Sequence, residues 1–522
     1  MAQTFNEITR NIVDRFLQNI LFVDDYAYPT EDKQKVNAFD ASKISSVFAQ
    51  KGKLCTVFAP STEEDLKNCS SLCAKSDVVV LDWYLDLENK QQIEDAEKDA
   101  DSEEPRGIYT TRLINNIIED AGNKKLKLII IYTGETDLIG ITGDLYKGII
   151  LKDKFEQGDC CVFSSNVSVL IRAKFKDEDQ FKHNPELKAK IVKYENLPDF
   201  ITEGFSNFVG GLLPDFALSA IAAIRNNTSN ILGVFSKDID PAFLGHYVSI
   251  PNCNDAISML PKIFGTAVAN LIETSDVDFD SWIAAWIDEN IKENQITIGK
   301  KKFTINADNL KAFVSPDKAF ENKLNTIFTA NINVENLNQV DFYKKEASNL
   351  FCSGDTKHPN YKWAKLVQHS NLFSSPKIHR LTTGTIIKYK EEDKFLLCIQ
   401  QSCDSVRILA GEKRPFLFLP LVQGIKGEAI VVGEQDHLIV DNKSYSIELH
   451  RFSPNENNAN ITAELKENGE YVFEDTDGRQ FVWVAELKEM FAQHIVSAYA
   501  SQLSRVGIDN SEWIRLVGKT KQ

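Results

Sequence analysis

Along the first 180 residues, apolar runs of strand length alternate with stretches of helical period. The runs are "NILFVDD" (19–25), "KLCTVFAP" (53–60), "SDVVVLDWYLD" (76–86), "LKLIIIYTGE" (126–135) and "NVSVLIRAKF" (166–175). Helical candidates at 41–51, 62–73 and 108–121 lie between them. This alternation predicts a parallel sheet covered by helices on both faces. Beyond it the pattern turns helical. Leu213, Phe216, Ala220, Ile221, Ile224, Ile231, Leu232 and Phe235 share one helical face, after a Gly210-Gly211 turn and Pro214. That face is expected to pack or to dimerise. Further helices are predicted over 255–272 and 278–294, the second with Trp282, Ile283, Trp286 and Ile287 as a core stripe. From about 376 the period becomes two, through "RPFLFLPLV", "EAIVVG", "DHLIVDNKSYSIEL" and "GRQFVWVAEL". Short strands between turns predict a small β-barrel or open sheet. An amphipathic helix over 484–504 then leads to Trp513, expected to dock on a core. The resulting division is an α/β domain (1–180), an all-α region (181–372), a mainly β domain (373–483) and a helical C-terminal segment (484–522).

Composition narrows the classes. A chain of 522 residues exceeds one hydrophobic core, and 43% hydrophobic with 26% charged residues fits globular domains. No apolar run reaches the roughly 18 residues of a membrane span. The N-terminus mixes both charge signs without a continuous apolar stretch, so it does not read as a signal peptide, and a cytoplasmic location is expected. None of the nine cysteines forms a Cys-x-x-Cys pair, which predicts reduced thiols rather than a zinc site. The net charge of −16 repels a phosphate backbone and argues against nucleic acid as a partner. The basic stretches at 182–193 and 299–302 read as solvated surface. Residues 86–104 carry nine acidic and two basic side chains, the signature of a solvated loop.

In a parallel α/β sheet the ligand crevice lies beyond the carboxyl ends of the strands. The residues ending the runs are Asp24 and Asp25, Asp82, Thr133 and Lys174. Adjacent carboxylates repel unless solvated or paired with a cation. Hard oxygen ligands at a small site suit Mg²⁺, which takes one or two carboxylates and a phosphate. A fifth strand at "KGIILKDK" (147–154) would present Lys152 instead of Lys174; the β-branched run before Lys174 favours the latter.

With "FVDD", "VVVLDWYLD" and "IIIYTGE" in this order, the N-terminal third resembles the receiver domain of two-component response regulators. The resemblance implies a flavodoxin-like five-stranded sheet. It implies that Asp82 accepts a phosphoryl group from a histidine kinase. Asp24 and Asp25 would bind Mg²⁺ with Asp82, Thr133 would contact the phosphoryl group and Lys174 would bridge to it. Three features depart from the family pattern: Phe175 replaces the usual proline, Leu170, Ile171 and Arg172 replace the usual aromatic switch residue, and the stretch from Thr133 to Lys174 is longer than the family norm. The acidic loop beside Asp82 could screen which kinase docks. The order of the parts resembles bacterial receiver-containing proteins found beside a large histidine-kinase-like ATPase in antiviral operons.

The expectation is therefore a phosphoryl acceptor rather than a turnover enzyme, signalling or draining phosphate from a partner kinase, with self-association through the helical region. Two alternatives remain. "CIQQSCDSVRI" and "GEKRPFLFLPL", the latter faintly similar to toxin-type RNases, suggest an effector whose β domain cleaves RNA through Arg407 or Arg414. The other is a scaffold that binds partners without phosphorylation. Residues 224–227 faintly resemble the phospho-accepting helix of histidine kinases, but no histidine follows until His246, so the chain is not such a kinase.

Overall fold

The computed structural model divides into two compact units, residues 1–292 with 307–319, and residues 293–306 with 320–522. It describes residues 3–28, 39–85, 87, 107–121, 125–175, 185–250, 253–274, 278–298, 301–316, 347–352, 354–372, 378–424, 428–433, 436–441, 446–454 and 460–503. Nearly all of the acidic stretch 86–104, Gly299, Lys300 and Trp513 lie outside these residues.

The first unit opens with α1 (Phe5–Phe16), started by a capping box in which Thr4 and Glu7 bond each other's backbone N–H. Then follow β1 (Asn19–Val23), α2 (Ala41–Gln50), β2 (Leu54–Phe58), α3 (Glu63–Lys75), β3 (Val78–Leu81), α4 (Ile108–Ala121), β4 (Lys127–Thr133) and α5 (Leu138–Gly148). A hairpin, β5 (Glu156–Gly158) and β6 (Cys161–Phe163), precedes β7 (Val167–Lys174). Strands β2, β1, β3, β4 and β7 lie side by side in that order, all parallel. This is the flavodoxin-like order. The β5–β6 hairpin adds antiparallel strands to part of the β7 edge, which accounts for the long stretch between Thr133 and Lys174. Residues 147–154 form no strand: they hold the end of α5 and a 3₁₀ turn at Lys152–Lys154.

Alternation along the strands separates two apolar layers. Leu21, Val23, Val79, Leu81, Ile129 and Ile131 face α3, α4 and α5. Ile20, Phe22, Val78, Val80, Ile130 and Tyr132 face α1, α2 and a later helix over Leu197–Val209. Between β7 and that helix stand the short α6 (Pro185–Lys188) and β8 (Ile191–Val192), the latter pairing parallel to the end of β7 at Ala173 and Lys174. Helix α7 (Leu197–Val209) buries Leu197, Ile201, Phe205 and Val209 on the sheet. The expected boundary at 180 thus falls between the sheet and a helix that covers it.

Helix α8 (Leu212–Asn226) packs beside α1, and α9 (Thr228–Val234), α10 (Asp240–Ser249), α11 (Cys253–Glu273) and α12 (Phe279–Asn290) follow. The face predicted for α8 is not the one it buries. Asp215, Leu218 and Ala222 are buried, whereas Leu213, Phe216 and Ile221 are exposed. The buried face is invisible to a hydrophobicity count because it holds a carboxylate: Asp215 accepts a 2.6 Å hydrogen bond from the Thr9 hydroxyl. At the other end of α8, Arg225 forms a two-pronged pair with Asp77 at 2.8 and 3.0 Å. On α12 Trp282 and Ile287 are buried, and Ile283 and Trp286 are half-buried. The unit closes with α13 (Ala307–Val314).

The second unit contains a hairpin, β9 (Glu293–Ile298) and β10 (Lys301–Asn306), so the region expected to be all-α includes strands. After the helix Lys357–Gln368 come β11 (Thr385–Tyr389), β12 (Phe395–Cys398), β13 (Arg414–Val422), β14 (Ile430–Val431), β15 (His437–Val440), β16 (Glu448–Phe452), β17 (Glu464–Leu465), β18 (Tyr471–Glu474) and β19 (Gln480–Glu486). They form one sheet in the order β14-β15-β13-β12-β11-β19-β18-β17, with β16 also on β13. Phe416, Phe418, Phe452 and Phe481 make its aromatic core. The C-terminal helix runs over Glu489–Leu503 rather than from 484, because Trp483, Val484 and Ala485 continue β19. No described helix is long and apolar enough to cross a membrane.

Candidate functional site

The pairing Val23↔Leu81 sets the next residues, Asp24 and Asp82, at one height beyond the sheet. Each is fixed by its backbone: Asp24 N–H donates to Phe58 O (3.1 Å) and Asp82 N–H to Val23 O (2.9 Å). Two strands further on, Lys174 ends β7, and its ammonium donates to Asp24 Oδ2 at 2.6 Å and to Asp82 Oδ2 at 3.1 Å. The second oxygens are held by local turns: Asp24 Oδ1 accepts from Tyr26 N–H and Asp82 Oδ1 from Trp83 N–H, both at 2.9 Å. Asp24, Asp25 and Asp82 each offer a carboxylate oxygen, all within 4.8 Å of one another. Thr133, the last residue of β4, is buried, and its hydroxyl accepts from Glu135 N–H at 3.2 Å. Lys152 lies elsewhere, with its ammonium 5.0 Å from the centre of the Tyr146 ring.

Electrostatics follow from this crowding. Burial raises the Asp82 pKa, the Lys174 ammonium opposes the rise, and the neighbouring Asp24 adds to it; the carboxyl is pushed up to about 6. Burial works to lower the Lys174 ammonium, but Asp82 and Asp24 overcome it and hold its pKa above the ordinary lysine value. Three carboxylates against one ammonium leave an excess of negative charge in a low-dielectric place. A donor set of hard oxygens only, so closely spaced, fits a small divalent cation such as Mg²⁺ and none of the softer metals.

Several supporting residues gave no sequence signal. The Thr110 hydroxyl donates to the carbonyls of Asp82 and Trp83, at 2.7 and 3.0 Å, and ties α4 to the Asp82 turn. Gly107 takes a positive φ of 87° beneath the Trp83 ring, where a Cβ would stand 2.2 Å from the indole. Phe39 and Tyr132 flank the Lys174 ammonium at 5.5 and 5.9 Å. The Tyr132 hydroxyl donates to Val192 O on β8 at 2.7 Å. An aromatic does stand next to Thr133, then, but it points to the opposite face of β4 and is anchored to β8.

The features singled out in the second unit differ in exposure. Cys398 is buried in β12, while Cys403 and Arg407 are exposed and Arg414 pairs with Glu412.

No curated protein and no solved structure matches the chain. A family model, that of the response receiver domain, matches residues 16–179, a segment that contains all five strand-end residues. With the flavodoxin-like strand order and an acidic pocket at the carboxyl ends of its strands, the N-terminal part of this chain is a response receiver domain.

Proposed function

We propose that the chain is a response-regulator-like phosphoryl acceptor, modified on Asp82 with Mg²⁺ held by Asp24, Asp25 and Asp82. The observation that carries this reading is the double contact of Lys174 with Asp24 and Asp82. It brings two of the carboxylates proposed as acceptor and cation ligands against one balancing ammonium at the sheet edge.

The donor is a histidine kinase or a histidine-kinase-like ATPase. Asp82 Oδ2 attacks the phosphorus of a phosphohistidine; the new O–P bond forms as the N–P bond breaks, and the imidazole nitrogen leaves with the electron pair. Bound Mg²⁺ supplies neutralisation of charge on the transferring oxygens. Asp82 is held for attack by the Trp83 N–H at Oδ1. Lys174 follows the phosphoryl oxygens as they replace the carboxylate charge it now faces, and the Thr133 hydroxyl donates to another of them. The modification adds up to about two negative charges. The chain acts in the cytoplasm as a signalling component or a phosphate sink. Its order of parts, similar to receiver-containing proteins of antiviral operons, supports a place in defence signalling.

Incubation with acetyl phosphate and Mg²⁺ is expected to label the chain on Asp82. The label should be lost in Asp82→Ala and with EDTA. Label that survives in Asp82→Ala would rule out this acceptor.

A further inference from the structure

We infer that helices α8–α11 form an interface with a second copy of this chain. Thirteen large apolar side chains between residues 212 and 264 are exposed, from 39% at Leu260 to 74% at Val248. Leu232 and Val234 on α9 and Leu244 on α10 are among them, each more than half exposed. The corresponding interior is almost missing: α9 buries only Ile231, and α10 buries no residue. A helix of seven or ten residues is marginal in water and takes its stability from a packed apolar face. Parts of this surface are joined: α11 packs beside α8, and Phe235 meets Phe264 at 5.6 Å between ring centres.

Area and charge identify the occupant. With roughly half of about 150–200 Å² exposed on each, the thirteen side chains present on the order of 1,000 Å² of apolar surface. The largest patch on an ordinary monomer is about 300–600 Å². A stable complex covers about 800 Å² per partner. Residues 212–273 carry only eight charged side chains, against 26% charged residues in the whole chain. Two of the eight, Asp215 and Arg225, are turned to Thr9 and Asp77 of the same chain. A surface with so little charge offers no pattern for selecting a charged partner but complements itself, as a two-fold interface must. Copies each of net charge −16 repel elsewhere, so contact is directed to this face. The Arg225–Asp77 and Asp215–Thr9 contacts fasten α8 to the residue before β3 and to α1, so pairing would bring two receivers into one particle.

Sedimentation equilibrium of the full chain is expected to give twice 58.9 kDa at micromolar concentration. Leu244→Asp combined with Val248→Asp should weaken association at least tenfold with an unchanged circular dichroism spectrum. Amides of α9–α11 should lose exchange protection on dilution of the unaltered chain, a readout that does not depend on the variant folding. The inference does not rest on phosphorylation, and Asp82→Ala should dimerise equally. A monomeric unaltered chain, a monomer that floats with lipid vesicles, or a double variant that stays dimeric would each overturn it.

Discussion

At the scale of single residues, the informative side chain is Asp82, whose carboxyl is raised to about 6 by burial and by Asp24. A raised carboxyl favours the fold most when protonated. Its contribution is complete below about pH 4 and is lost as pH rises through about 6, so the ionised pocket is costly without a cation. On the proposed reading, a cation and a proton compete for the Asp82 carboxylate. The apparent Mg²⁺ affinity should be flat between pH 7 and 8 and fall roughly tenfold per unit below about 6. Titration of tryptophan emission can follow this, since Trp83 adjoins Asp82 in the chain and its backbone N–H donates to the carboxylate. An affinity unchanged at pH 5 would contradict the assignment. The strand-end residues were legible in the sequence because a parallel sheet converts chain order into spatial neighbourhood. Thr110 and Gly107 were not, because their roles depend on how α4 returns to the sheet after a long insertion.

Among elements, the strands of the receiver were the easiest to read and the edges of the helical region the hardest. Buried parallel strands are apolar on both faces and stand out as unbroken runs, as in β3 and β4. Helix α8 leaves its apolar stripe exposed, while the face it buries includes Asp215 and gave no apolar signal. The hairpin β9–β10 was missed because it is short and its basic stretch at 299–302 reads as solvated surface. The start of α4 allows a direct test of how an element holds the site. In Gly107→Ala the added methyl meets both a positive φ and the Trp83 ring. A loss of about 2 kcal/mol or more is expected. It should appear as a lower denaturation midpoint together with weaker Mg²⁺ binding, because the Asp82–Trp83 turn is displaced. A variant as stable as the parent would show that the ring yields freely.

For the whole molecule, Mg²⁺ should act as a ligand of the folded receiver. At a free concentration of 100 times Kd it adds about 2.7 kcal/mol. For a unit of this size that corresponds to roughly 4 °C in the melting temperature. The shift should vanish with EDTA and in Asp24→Asn; a shift of equal size in that variant would place the cation elsewhere. The sequence could not deliver the division into units, because 293–306 belong with one and 307–319 with the other. Chain order and spatial membership part company there.

One arrangement bears on how this receiver is to be handled in isolation. The segment that matches the family model ends at 179, yet α1 and α7, which roof one side of its sheet, lie at 5–16 and 197–209. A fragment cut at those limits would carry Phe22, Phe48 and Tyr132, fully buried in the intact chain, beneath a missing cover. It would clump rather than dissolve, and its inertness would say nothing about Asp82. The smallest honest specimen of the receiver begins before residue 5 and continues past 209.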